Sequence, residues 1–189
     1  MIKLLSLLLV AVTFTACQAK IEPKKKSNQN PHSEYKGNVS LLVKKGTPVT
    51  DGIPNFTWYN EAGKEISFSE FSKGKPVLIN FWATWCGPCV RETPDLVELY
   101  NDLKTQGAIF IGISVDLGDD AMNLVTEFTD TYKVPYQVVI DFEGELQQAI
   151  GDLRGYPTTF YIDKNGKIVK KLLGMQSKKK FAEEFKSIL

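Results

Sequence analysis

Phe81-Trp82-Ala83-Thr84-Trp85-Cys86-Gly87-Pro88-Cys89 is the stretch whose reading decides the fold. An apolar run, Val77-Leu78-Ile79-Asn80-Phe81-Trp82, leads into it, bounded by Lys75-Pro76 before and by Gly87-Pro88 after. Such a run reads as a buried strand. A helical pattern follows, so the two cysteines stand where a strand turns into a helix. There the free N–H groups and the positive end of the helix dipole favour an anion. A cysteine reacts as its thiolate, so Cys86 is expected to be acidic. Two intervening residues bring Cys89 back beside it on the first helical turn, within reach of a disulfide. Pro88 suits an early helical position, where its missing N–H is not needed. The pair can therefore cycle between dithiol and disulfide, with Cys86 attacking a target disulfide and Cys89 resolving the mixed disulfide.

The same spacing also serves a structural bridge or half of a zinc site. A zinc site usually needs a second ligand pair. Here the remaining cysteine is Cys17 and the single histidine is His32, both far upstream. Trp85-Cys86-Gly87-Pro88-Cys89 resembles the active-site motif of thioredoxin, which favours redox chemistry. That chemistry needs no cofactor and no metal, because the two sulfurs carry the electrons.

Outward from the motif, Leu96, Leu99, Tyr100 and Leu103 recur on one helical face, and Gly107 closes the segment. Pro94 falls inside this helix. Arg91 and Glu92 read as solvated helix residues rather than catalytic ones. Upstream, Phe56–Tyr59 and Glu65–Phe68 read as a β-hairpin across a Gly-containing turn. Ser67 or Ser69 can then cap a short helical turn through Phe71, with Gly74 ending it. Downstream, Ala108–Val115 reads as a second buried strand. Asp119 or Asp120 can cap the next helix, with Ala121, Leu124, Val125, Phe128 and Tyr132 inward. Tyr136–Ile140 reads as a strand and Leu146–Ile150 as a short helix stopped by Gly151. Thr158–Ile162 and Ile168–Leu173 read as strands joined by the turn Lys164-Asn165-Gly166-Lys167. Phe181, Phe185 and Ile188 mark an amphipathic C-terminal helix. The pattern predicts an α/β domain, a mixed central sheet flanked by helices.

The chain has 189 residues and a formal net charge of +1. That suits one domain with appendages and gives no support to nucleic-acid binding. Residues 1–16 read as a leader: Lys3, then an apolar core from Leu4 to Val12, shorter than the ~20 residues a membrane span needs. Phe14-Thr15-Ala16-Cys17 resembles a bacterial lipoprotein box, which implies a lipid on Cys17, although Phe14 stands where leucine is usual. Residues 17–45 then read as a lipidated flexible tether, rich in lysine and turn formers. Val39–Val43 within it has the makings of a short strand. The folded domain is expected over 46–189.

From residue 46 onward the chain resembles the TlpA/ResA-type thiol–disulfide oxidoreductases, in the AhpC/TSA–Redoxin-like part of the thioredoxin superfamily. Gly52-Ile53-Pro54-Asn55-Phe56, the N-terminal hairpin, the run from Asn80 to Pro94 and an extra strand–helix section over roughly 117–150 carry the likeness. The resemblance implies a thioredoxin-like fold. It implies a cis peptide at Tyr156–Pro157 facing the redox pair. It implies a substrate groove formed by Trp85, Gly87, Pro88, Tyr156 and Pro157. It further implies disulfide-containing exported proteins as substrates, apocytochrome c among them. A membrane thiol donor of the DsbD/CcdA kind would supply electrons outside the cytosol, with the lipid holding the protein to the membrane. An oxidant of the DsbA type remains an alternative on the same motif. A peroxidase of this superfamily expects threonine and proline where Ala83 and Ile79 stand. A copper-delivery module expects three residues between its cysteines and a nearby histidine. Thioredoxin itself has a buried aspartate where this chain has Asn80, and an amide cannot take a proton. The proton acceptor for Cys89 is therefore not evident in the sequence.

Overall fold

The computed structural model describes residues 35–151 and 153–189. The leader, Cys17, His32 and the tether up to residue 34 lie outside the described residues.

Four strands form the centre of the sheet. Val77–Trp82 (β5) pairs in parallel with Ile109–Ser114 (β6), which pairs in parallel with Gln137–Ile140 (β7). On its other side β5 pairs antiparallel with Thr158–Ile162 (β8), followed by Ile168–Leu173 (β9). Every residue of β5 and β6 is buried, as continuous apolar runs require. Two helices, Gly87–Leu103 (α2) and Ala121–Tyr132 (α3), make the crossovers β5–α2–β6 and β6–α3–β7. Both crossovers step the same way across the sheet, so right-handedness puts both helices on one face.

Register shows what lies beneath them. Leu78, Asn80 and Trp82 stand opposite Phe110, Gly112 and Ser114. The Phe110 ring meets Tyr100 of α2 and Phe185 of the last helix, Lys178–Lys186 (α5), each at 5.4 Å. The Trp82 ring meets Phe128 of α3 at 4.5 Å. Position 112 has to be glycine for this packing, because a Cβ there would fall 2.8 Å from the Trp82 indole nitrogen. Phe81 and Phe160 pack on the opposite face, 5.9 Å apart.

The hairpin forms as the sequence predicts, from Thr57–Tyr59 (β3) and Glu65–Ser67 (β4). Its turn is held by Asn60, whose side-chain oxygen accepts the N–H groups of Ala62 and Lys64. The Ser67 hydroxyl caps the single turn Phe68–Phe71 (α1) by accepting the N–H of Glu70. Glu145–Ile150 (α4) ends at Gly151 as expected.

Three local expectations are corrected. First, the sheet starts before residue 46. Tyr35–Lys36 (β1) and Val39–Lys44 (β2) belong to it, and β2 lies inside the sheet, antiparallel to β3 and parallel to β7. The strand order is β4-β3-β2-β7-β6-β5-β8-β9, with β1 beside β2. Over residues 35–44 the chain is therefore sheet and not tether. Second, Asp120 takes the capping position of α3 without a capping bond, and its carboxylate accepts from the Asn123 side chain instead. Third, Leu124 faces outward, 43% exposed, while Ala121, Val125 and Phe128 are buried.

Candidate active site

The site stands at the C-terminal end of β5. After Trp82 the chain turns tightly, and the N–H of Cys86 donates to the carbonyl of Ala83 at 3.1 Å. Thr84 in that turn is fastened to Asp116, just beyond β6. The Asp116 carboxylate accepts the Thr84 N–H at 3.1 and 3.3 Å and the Thr84 hydroxyl at 2.5 Å. It also accepts the Ser114 hydroxyl at 2.7 Å. Asp116 is buried, so these donors replace the water it has lost.

Cys86 occupies the N-cap of α2 in an extended conformation, and its sulfur accepts the N–H of Cys89 at 3.3 Å. Pro88 sits in the first turn, as its missing N–H allows. Cys86 and Cys89 are joined in a disulfide with their Cα atoms 5.2 Å apart. Cys89 is 1% exposed and Cys86 6%, while Gly87 and Pro88 are open to solvent and Trp85 is 67% exposed. A partner therefore approaches past Trp85 and reaches Cys86 first.

Tyr156–Pro157 faces this edge, and its peptide bond is cis, as the resemblance implied. The edge of one ring meets the face of the other where Trp85 and Tyr156 approach to 6.1 Å. The Tyr156 hydroxyl donates to the side-chain oxygen of Gln147 on α4, and burial pushes its phenol pKa up. The carbonyl of Pro157 accepts the N–H of Gly174 at 2.8 Å. Trp85, Cys86, Gly87, Pro88, Cys89, Tyr156 and Pro157 thus come to one end of the sheet. Cys17 lies outside the described residues.

The residue that the sequence reading placed in solvent is Glu92. It lies one helical turn beyond Cys89 and is 1% exposed. Asn80 of β5 donates its amide to one Glu92 oxygen at 2.9 Å and to the Thr159 hydroxyl at 3.0 Å. The N–H of Gln176, between β9 and α5, donates to the other Glu92 oxygen at 3.0 Å. Burial raises the pKa of this carboxyl to about 7, against the opposing effect of the two hydrogen bonds. So a buried acid whose pKa lies near neutrality stands one helical turn beyond Cys89, with the Asn80 amide bonded to it. The clue lay in the helical periodicity. Extended backward from Leu96 and Leu99, the inner face of α2 runs through Glu92, Thr93 and Cys89, so Glu92 interrupts an apolar stripe. Asn80 interrupts the apolar strand beside it. Arg91 is exposed, as expected.

Comparison with known proteins agrees with this geometry. Residues 49–171 match the model of the AhpC/TSA family. The chain belongs to the AhpC/TSA family. Within it, the chain is 39% identical over 135 residues to the thiol–disulfide oxidoreductase ResA of Bacillus thuringiensis subsp. konkukian, covering 71% of this chain and 75% of that one. It is 36% identical over 137 residues to ResA of Bacillus subtilis, covering 72% and 74%. A solved thioredoxin-family thiol:disulfide interchange protein from Chlorobium tepidum TLS superposes with a TM-score of 0.63 at 30% identity, covering 76% of this chain and 99% of that one. This AhpC/TSA member has the thioredoxin-like fold and is a thiol–disulfide oxidoreductase of the ResA type.

Proposed function

We propose that the protein is an exported, lipid-anchored protein-disulfide reductase that acts from the outer side of the bacterial cytoplasmic membrane. The leader-like residues 1–16 and the lipoprotein-like box at Cys17 support export and anchoring. Kinship with the ResA thiol–disulfide oxidoreductases supports disulfide exchange, and the reducing direction is the working reading that the potential tests. On this reading the substrates are disulfides of exported proteins, apocytochrome c among them, and a membrane thiol donor of the DsbD/CcdA kind restores the dithiol.

The observation that carries the mechanism is the disulfide at the head of α2 with a buried carboxyl one turn behind it. In the dithiol form the Cys86 thiolate, favoured by the N–H groups of the first turn, attacks one sulfur of the substrate disulfide. A bond forms from Cys86 to that sulfur, and the other substrate sulfur leaves as a thiolate. Cys89 then loses its proton to the Glu92 carboxylate and attacks the Cys86 sulfur. The second substrate thiol departs, and the Cys86–Cys89 disulfide remains. Two electrons have passed to the substrate. Trp85 and Tyr156 flank the entering peptide, and the backbone at Tyr156–Pro157 holds it.

The decisive experiment is trapping in cells. Cys89→Ser is expected to accumulate mixed disulfides through Cys86 that name the substrate, whereas Cys86→Ser abolishes turnover. A Cys89→Ser variant that captures no exported cysteine protein would defeat the substrate assignment. A measured potential near −120 mV, that of a strong oxidant, would defeat the reducing direction. Intact-mass analysis of the mature chain tests the anchor, and an unmodified N-terminus beyond Cys17 removes it.

A further inference from the structure

The segment between β9 and α5 touches both halves of the site. Gly174, in a left-handed conformation with φ of 86°, turns its N–H onto the carbonyl of Pro157 at 2.8 Å. Two residues later the N–H of Gln176 reaches Glu92 at 3.0 Å, and the Gln176 side chain donates back to the carbonyl of Gly174 at 2.8 Å. Two residues further, the N–H of Lys178 donates to Asp95 of α2 at 2.8 Å, and its ammonium group holds Glu98 and Asp102 of the same helix. Five consecutive residues therefore run from the groove proline to the buried acid and on to the outer side of the active-site helix.

We propose that residues 174–178 are a strap that serves the redox reaction. Gln176 is a positioning residue whose main-chain N–H orients the Glu92 carboxylate. Gly174 fixes the same strap to the groove at Pro157. The proposal rests on Glu92 being the proton acceptor for Cys89. No side chain of the strap is needed at the acid, which explains why nothing in the sequence marks it. The geometry has a functional sense. The group that receives the Cys89 proton and the carbonyl beside the bound peptide are set by one short piece of chain, so a shift in one is transmitted to the other. The remaining ionisable groups around Glu92 are Asp95 and Cys89 on α2, Tyr136 ahead of β7 and Tyr161 of β8. Asp95 opposes the charge on Glu92, and both phenols are buried and held protonated. Among the described residues the donors to the ionised carboxylate are thus Asn80, which also holds the Thr159 hydroxyl two residues beyond Pro157, and the strap, which reaches the Pro157 carbonyl itself.

The test reads the titration of Glu92 and the pH–rate profile together. Gln176→Pro removes the N–H and leaves Glu92 in place. Loss of a charge-assisted bond is expected to move the Glu92 midpoint up by about one pH unit, and the alkaline-going limb of the rate profile with it. Gly174→Ala, which forces a side chain into the left-handed region, is expected to raise both that midpoint and KM for a disulfide peptide. If KM moves and the midpoint does not, the strap does not join the two and the proposal fails. Should either variant fold poorly, the unaltered protein still decides the matter. The amide resonance of Gln176 is expected to titrate with the same midpoint as the Glu92 carboxyl carbon, and a flat amide resonance overturns the proposal. Failure of the underlying reading shows itself differently. Glu92→Gln would then leave the rate profile unchanged, whatever the strap variants do.

Discussion

Two buried carboxylates flank the redox loop, and they are employed in opposite ways. Asp116, beyond β6, accepts the main-chain N–H and hydroxyl of Thr84 and the hydroxyl of Ser114. Glu92, on α2, accepts one amide N–H from Asn80 and one main-chain N–H from Gln176. Both are almost fully buried. Asp116 has donors crowded on both oxygens and ties down the turn that leads into Cys86. Glu92 has one donor on each oxygen, too few to offset its burial, so its proton becomes exchangeable near pH 7. The count of donors, and not the depth of burial, is what differs between the two carboxylates.

That contrast can be broken experimentally, and the largest effect belongs to Asp116. Asp116→Ala leaves the Thr84 N–H and two hydroxyls without their acceptor. It is expected to cost about 3 kcal/mol in urea unfolding and to loosen the Cys86 turn. A loss below roughly 0.5 kcal/mol, the scale of a neutral surface change, would mean that Asp116 holds nothing.

Glu92 is expected to behave the other way. Its pKa is about 7 in the folded protein against 4.5 for the ordinary carboxyl, so between these values the folded state binds more protons than the unfolded state. Stability contributed by this group is therefore complete below about pH 4.5 and falls as pH rises through about 7. The full difference is on the order of 3 kcal/mol. Unfolding of the native chain and of Glu92→Gln, compared from pH 4 to pH 8, is the measurement. The stability of the native chain relative to the variant is expected to fall by that amount across the interval, and parallel curves would place the proton elsewhere.

A smaller effect sharpens the comparison at its hinge. Asn80→Asp replaces a donor with a second carboxylate beside Glu92. Repulsion and the lost hydrogen bond both raise the Glu92 midpoint, by about one pH unit. The pH–rate profile should shift in the alkaline direction. An unshifted profile would mean that the Asn80 amide does not set the Glu92 midpoint.

The redox pair, the central strands and the crossover helices were legible because each rests on local periodicity and on one short motif. Val77–Trp82 is apolar but for Asn80, and Cys86 can only follow it at a helix start. The hairpin and the β8–β9 turn were legible from turn chemistry at Asn60 and at Asn165-Gly166. Glu92 was misplaced because its charge outweighed its position on the inner face of α2. A residue type reads as solvent until its partners are known, and those partners, Asn80 and the Gln176 N–H, come from 12 residues before it and 84 residues after it. The sequence hides strand β2 in the tether for a similar reason. Its parallel partner β7 lies about a hundred residues away, and a short stretch broken by Ser40 carries no record of what it will pair with. The strap is main chain at both of its key contacts, so no residue type announces it.

Strand β2 has one more consequence. Among the described residues the hairpin β3–β4 is paired to the rest of the sheet through β2 alone. A chain trimmed to begin at residue 46, where the sequence places the opening of the domain, would set the hairpin adrift. It would also bare the flank of β7, an open row of peptide groups ready to recruit a neighbouring molecule. For anyone preparing a shortened version, the safe cut lies ahead of Tyr35.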